Sequence, residues 1–107
     1  MGALKTLTDA TFKEEIESFD KRVLVEFWAS WCPPCKMMDP LLVRIQDKYA
    51  DRVVICKLNV DQNRVIAAEY SIAGVPTFIT FDKGNVVERT SGALNETKLL
   101  KMIGVAV

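Results

Sequence analysis

The chain has 107 residues, half of them apolar, with fourteen basic and fourteen acidic side chains, three cysteines and no histidine. That length suits one domain with a real core and is too short for two. The balanced charge offers no general field for nucleic acid or an anionic membrane. Residues 1–7 lack the long apolar stretch of a secretory leader, and no segment approaches membrane-spanning length. A cytoplasmic monomer is therefore expected.

In chain order, residues 4–7 read as a short first strand, followed by Thr8, Asp9 and Thr11 as N-cap candidates for a helix to about Ser18. Phe12, Ile16 and Phe19 place one apolar stripe on that helix. Residues 23–28 form a nearly continuous apolar run of the kind covered on both faces, broken by Glu26. Met38, Leu41, Leu42, Ile45 and Tyr49 keep helical spacing, so one helix is expected from Pro34 to about Tyr49, bent at Pro40. Residues 52–58 give a second buried strand with one charge, Lys57. Strand, helix and strand in that order predict a βαβ unit with the two charge-bearing strands adjacent and parallel.

Asp61, Gln62 and Asn63 then cap a shorter helix expected to close near Gly74. Residues 75–81 and 86–91 alternate around the turn 82–85, which predicts a hairpin with Gly84 at positive φ. Asn95 caps the last helix, with Leu94 and Leu99 placed as a hydrophobic staple.

The chemistry concentrates where the first buried strand meets the long helix, at Trp31-Cys32-Pro33-Pro34-Cys35-Lys36. Residues three apart share a helix face, so Cys35 in the first turn can reach Cys32 and close a disulfide. The unpaired N–H groups and positive dipole end of that turn would stabilise a Cys32 thiolate, making Cys32 the nucleophile. A structural disulfide across so small a loop would restrict the unfolded chain little. A four-ligand zinc site would normally want a second Cys or His pair, and only Cys56 remains. Cys56, in an apolar strand, reads as a core residue. A Cys-x-x-Cys pair beside a βαβ pattern favours redox chemistry.

Beyond the thiols, Phe27-Trp28-Ala29-x-Trp31-Cys32-x-Pro34-Cys35-Lys36, Pro40, Lys57-x-Asn59-x-Asp61, Gly74-Val75-Pro76-Thr77 and Gly92-Ala93 together resemble the thioredoxin family across essentially the whole chain. The resemblance implies one domain over residues 1–107. It implies an α/β thioredoxin fold, with a central mixed sheet of about five strands, the hairpin strands antiparallel, and helices on both faces. It also implies reduction of protein disulfides by dithiol–disulfide exchange, in which Cys32 attacks and Cys35 resolves. Glu26, through a water, would take the Cys35 proton, with Lys57 biasing its charge. Trp31, Pro34, Val75, Pro76, Gly92 and Ala93 would form an apolar apron for extended client segments, with Pro76 cis. No cofactor beyond the Cys32–Cys35 disulfide is implied, and the electrons would come from an NADPH-dependent thioredoxin reductase.

Two residues depart from the family's usual pattern: Pro33 stands where glycine is usual, and Glu26 where aspartate is usual. Pro33 removes an N–H near the Cys32 sulfur, which leaves the potential open and keeps a thiol oxidase or isomerase role in view. A redox-inert subunit of a larger assembly is the third reading. Burial of Glu26 is expected to raise its pKa against the pull of Lys57, although its extra methylene could bring the carboxylate nearer solvent.

Overall fold

A computed structural model describes residues 4–106; residues 1–3, which belong to the stretch read for a leader, and residue 107 lie outside it. The elements are β1 (Lys5–Thr6), α1 (Phe12–Ser18), β2 (Arg22–Trp28), α2 (Pro33–Met37), α3 (Asp39–Lys48), β3 (Val53–Asn59), α4 (Arg64–Glu69), β4 (Thr77–Asp82), β5 (Asn85–Ser91) and α5 (Glu96–Met102). The strands make one mixed sheet in the order β1-β3-β2-β4-β5. β3 is parallel to both β1 and β2, while β4 is antiparallel to both β2 and β5. The α/β thioredoxin architecture read from the sequence is thus the one observed.

β2 lies in the middle of the sheet because both of its faces are apolar. Leu24 joins Ile55 and Phe78 under Leu42, Ile45 and Leu99 of α3 and α5. Val23, Val25 and Phe27 join Cys56, Leu58 and Ile79 under Phe12, Ile16 and Ile66 of α1 and α4. Each such fully buried side chain contributes on the order of 2 kcal/mol, so this central strand anchors whatever stands at its end. By alternation Glu26 shares the Leu24 face, and it is register partner to Lys57 in the parallel pair predicted from the sequence.

Several local expectations are corrected. The helix from Pro34 to Tyr49 is broken rather than bent. Pro40 has no N–H to return to the carbonyl of Lys36, so the chain tightens at Met38, whose N–H reaches the Cys35 carbonyl at 3.2 Å. Asp39 and Pro40 then open α3 as a new first turn, where a proline is tolerated.

Asn63 stands at the N-cap of α4, but its side chain caps nothing there. The Asp9 carboxylate, from the loop before α1, accepts from the N–H groups of Val65 (3.2 Å) and Ile66 (2.9 Å) instead. Asn63 Oδ1 in turn accepts from the Asp9 N–H at 2.9 Å. α4 closes before Gly74: Ser71 takes positive φ, and the N–H of Ile72 returns to the Ala67 carbonyl at 2.9 Å. Thr11, at the N-cap of α1, makes no side-chain cap bond.

The hairpin turns on Lys83 and Gly84, both at positive φ, which matches the twist of the flanking strands. The alternation in residues 86–91 marks no buried face, because β5 is the edge strand and is mostly exposed. Asn95 caps α5 as expected, its Oδ1 accepting from the Lys98 N–H at 2.9 Å.

Candidate active site

β2 delivers the chain to buried Ala29, whose carbonyl accepts the Cys32 N–H at 3.1 Å and turns the backbone into α2. Cys32 is the N-cap, in extended conformation, and the two prolines fill the next two positions, where a missing N–H disturbs no helical bond. Cys35 follows in the same turn, its Cα 5.3 Å from that of Cys32, and the two form a disulfide. The Cys35 N–H points at Cys32 Sγ at 3.2 Å. Pro33 and Pro34 have no N–H to add, so this is the one first-turn donor directed at that sulfur. Cys32 keeps 3% of its surface exposed and Cys35 none, so an incoming group can reach only the first of the two.

The Val75–Pro76 bond is cis. Val75 packs against the Ala29, Cys32 and Cys35 cluster, and the Gly92 N–H donates to the Pro76 carbonyl at 2.8 Å. Gly92 has φ +95°, a conformation that favours glycine. Trp31 is 68% exposed, yet it is held in place: its Nε1–H donates to Asp61 Oδ2 at 2.8 Å. Asp61 is itself fixed through its N–H on Asn59 Oδ1, at 2.9 Å. The sequence marked Asp61 as a helix-cap candidate; its carboxylate holds the indole instead. Trp31, Val60, Ile72, Ala73, Gly74 and Val75 line a shallow groove of about 100 Å³.

The structure therefore gathers Cys32, Cys35, Val75, Pro76 and Gly92, and Trp31 lines the groove together with Val75. Pro34 is exposed on α2, and Ala93 is exposed beyond Gly92. Val60, Ile72 and Ala73 complete the groove without having been singled out, since small and apolar residues in loops carry no sequence signal of a surface role.

Beneath the α3 side of the sheet, Glu26 is wholly buried, and neither carboxylate oxygen has a hydrogen-bond partner among the described residues. The longer side chain does not bring it to solvent. Burial raises its pKa from 4.5 to about 8, against the opposing charge of Lys57 and with a further push from Asp39. The Lys57 ammonium lies 3.8 Å from Glu26 Oε1, 2.7 Å from Asp39 Oδ1 and 4.4 Å from the Trp28 ring centre. Asp39 was not anticipated. An acid inside a run of helical spacing gives no hint of a lysine on the following strand, 18 residues on.

Cys56 is a free thiol, fully buried, and burial pushes its pKa to about 12. Among the described residues no group of three or more His, Cys, Asp or Glu is arranged to hold a metal. No helix among them is long and apolar enough to cross a membrane.

The family model described as Thioredoxin matches residues 3–104. The chain is 45% identical over 96 residues to a thioredoxin of Chlorobaculum thiosulfatiphilum, an alignment covering 90% of this chain and 89% of that protein. It is 46% identical over 90 residues to a thioredoxin of Alicyclobacillus acidocaldarius subsp. acidocaldarius, covering 84% and 85%. Over 99 residues it is 40% identical to thioredoxin 1 of Synechococcus elongatus, covering 92% of each.

Proposed function

The chain belongs to the thioredoxin family and is a thiol–disulfide oxidoreductase, and from that premise we propose that it works as a reductase of protein disulfides, with Cys32 attacking and Cys35 resolving. The observation that carries the assignment is the difference in exposure across the Cys32–Cys35 pair. In the reduced protein the Cys32 thiolate attacks one sulfur of a substrate disulfide, and the other substrate sulfur leaves as a thiolate. Cys35, once deprotonated, attacks Cys32 Sγ and displaces the second substrate thiolate. Two electrons have then passed to the substrate, and the Cys32–Cys35 disulfide of this structure has formed. Glu26, through a water, accepts the Cys35 proton; its pKa of about 8 lies close to that of an ordinary thiol.

Trp31, Val75, Pro76 and Gly92, with Pro34 and Ala93 at the margin, form the surface on which an extended client segment rests. The oxidised protein is returned to the dithiol by an NADPH-dependent thioredoxin reductase, and it acts as a cytoplasmic monomer. A strong thiol oxidase depends on a stabilised reduced form. Here the two prolines leave Cys32 Sγ a single backbone donor, which favours the reductase direction over an oxidase or isomerase.

The test is to trap each half of the exchange. Cys35→Ser should accumulate a mixed disulfide through Cys32, whereas Cys32→Ser should trap none through Cys35. Equal trapping by both variants overturns the roles. Equilibration of the wild-type pair with glutathione separates reductase from oxidase, because a potential near the oxidising end of the family's range overturns the direction.

A further inference from the structure

One ammonium stands between two carboxylates on the α3 face of the sheet, and it is hydrogen-bonded to the one that is not the proposed base. Lys57 is the strand partner of Glu26, yet its Nζ makes a 2.7 Å hydrogen bond to Asp39 Oδ1 and stays 3.8 Å from Glu26 Oε1. The Asp39 side chain is 42% exposed and opens α3, where the break at Pro40 starts a new first turn. The Trp28 ring, 4.4 Å from Nζ, lies against the ammonium as well.

We infer that Asp39 is a positioning residue for thiol exchange, which holds the Lys57 ammonium off the Glu26 carboxylate and so keeps Glu26 a strong enough base to deprotonate Cys35. The inference rests on the reading of Glu26 as that base. A carboxylate that accepted a hydrogen bond from a lysine would be stabilised as the anion and would bind a proton poorly. With Lys57 committed to Asp39, Glu26 keeps both oxygens unbonded among the described residues, and the added negative charge of Asp39 further opposes its ionisation.

In the disulfide form the charged groups acting on Glu26 are Lys57 from β3 and Asp39 from α3, and in the reduced protein the Cys35 thiol of α2, its proton donor in the proposed exchange, titrates as well. The core cluster on the Glu26 face of the sheet holds Leu42 of α3, the Glu26 register partner Phe78 of β4 and Leu99 of α5, none of which titrates. Asp39 touches neither thiol in this scheme and acts only through Lys57.

The experiment uses the full chain as wild type, Asp39→Asn and Asp39→Glu, with two readouts. The first is the Glu26 carboxyl titration, followed by carbon NMR of the reduced protein. The second is the pH dependence of single-turnover resolution of a mixed disulfide preformed on Cys32. Asp39→Asn keeps the shape of the side chain but releases the ammonium, so the Glu26 midpoint and the rising limb of the rate should both move to lower pH, by about 1 unit. Asp39→Glu retains the charge and should hold both near their wild-type positions. A Glu26 titration unmoved in Asp39→Asn overturns the positioning role and leaves the base reading intact. A titration that moves while the rate limb stays in place overturns the base reading, and the positioning role of Asp39 in the exchange falls with it.

Discussion

Glu26 and Lys57 are register partners in the parallel β2–β3 pair, yet the ammonium stops 3.8 Å short of a carboxylate that is wholly buried. Burial therefore outweighs attraction, and the Glu26 pKa stands at about 8 against 4.5. Between those values the folded chain binds more protons than the unfolded chain, so stability falls as pH rises through the window and stays lower above it. The loss should reach about 3 kcal/mol by pH 7. Glu26→Ala removes that penalty but leaves a cavity costing roughly 1–2 kcal/mol at every pH. The two stability curves should cross: the variant is weaker at pH 4 and stronger at pH 8. Urea unfolding at the two values checks this, and a variant weaker at both would show that the carboxylate carries no such cost.

Cys56 should take no part in turnover. It is fully buried, and with a pKa of about 12 almost none of it is thiolate at neutral pH. Alkylation of the folded, reduced protein should label Cys32, the thiol with exposed surface, and Cys56 should react only in denaturant. Cys56→Ala should keep the exchange rate and lose about 1 kcal/mol of stability to a small cavity. Loss of turnover in the folded variant would place Cys56 in the chemistry.

Much of this arrangement was legible in the sequence because its causes are local. The buried run ending at Trp28, the Cys-x-x-Cys spacing and the charge in each of two neighbouring strands are patterns that a few residues carry by themselves. Asp39 and Asp9 show the opposite. Asp9 reads as a cap for α1, where a local rule already explains it, and Asp39 falls inside the single helix expected from Pro34 to Tyr49, where nothing marks it. Each has its actual partner many residues away, on β3 or at the start of α4. The break in the long helix was read as a bend because a proline pattern gives the lost hydrogen bond but not whether the next turn re-nucleates. Trp31 was correctly placed at the surface, but its tether to Asp61 depends on two loops meeting in the fold.

Asp9 should be worth a helix cap to α4 although it lies far from it in sequence. Its carboxylate satisfies the N–H groups of Val65 and Ile66, which the Asn63 side chain leaves open. Asp9→Ala should cost about 1 kcal/mol, and amide exchange at Val65 and Ile66 should accelerate more than in β2. Asn63→Ala should weaken the same link, because Asn63 Oδ1 positions the Asp9 N–H. Uniform acceleration across the sheet would instead indicate a general loss of stability.

Trp31 separates binding of a protein client from thiol chemistry. The indole is largely exposed, lines the same groove as Val75, and is held by its hydrogen bond to Asp61. An exposed aromatic kept in one orientation has little side-chain entropy left to lose when a client covers it. Trp31→Ala should therefore raise KM for a disulfide-bonded protein by about tenfold, the scale of a modest aromatic contact. The rate with a small soluble disulfide, which needs only Cys32 Sγ, should change little. Asp61→Ala keeps the ring but frees it, and should give a smaller rise in KM with the same selectivity for the protein substrate. The comparison of substrates decides the case. An equal loss with the small disulfide would put Trp31 in the thiol chemistry, and an unchanged KM with the protein would remove the indole from the client surface.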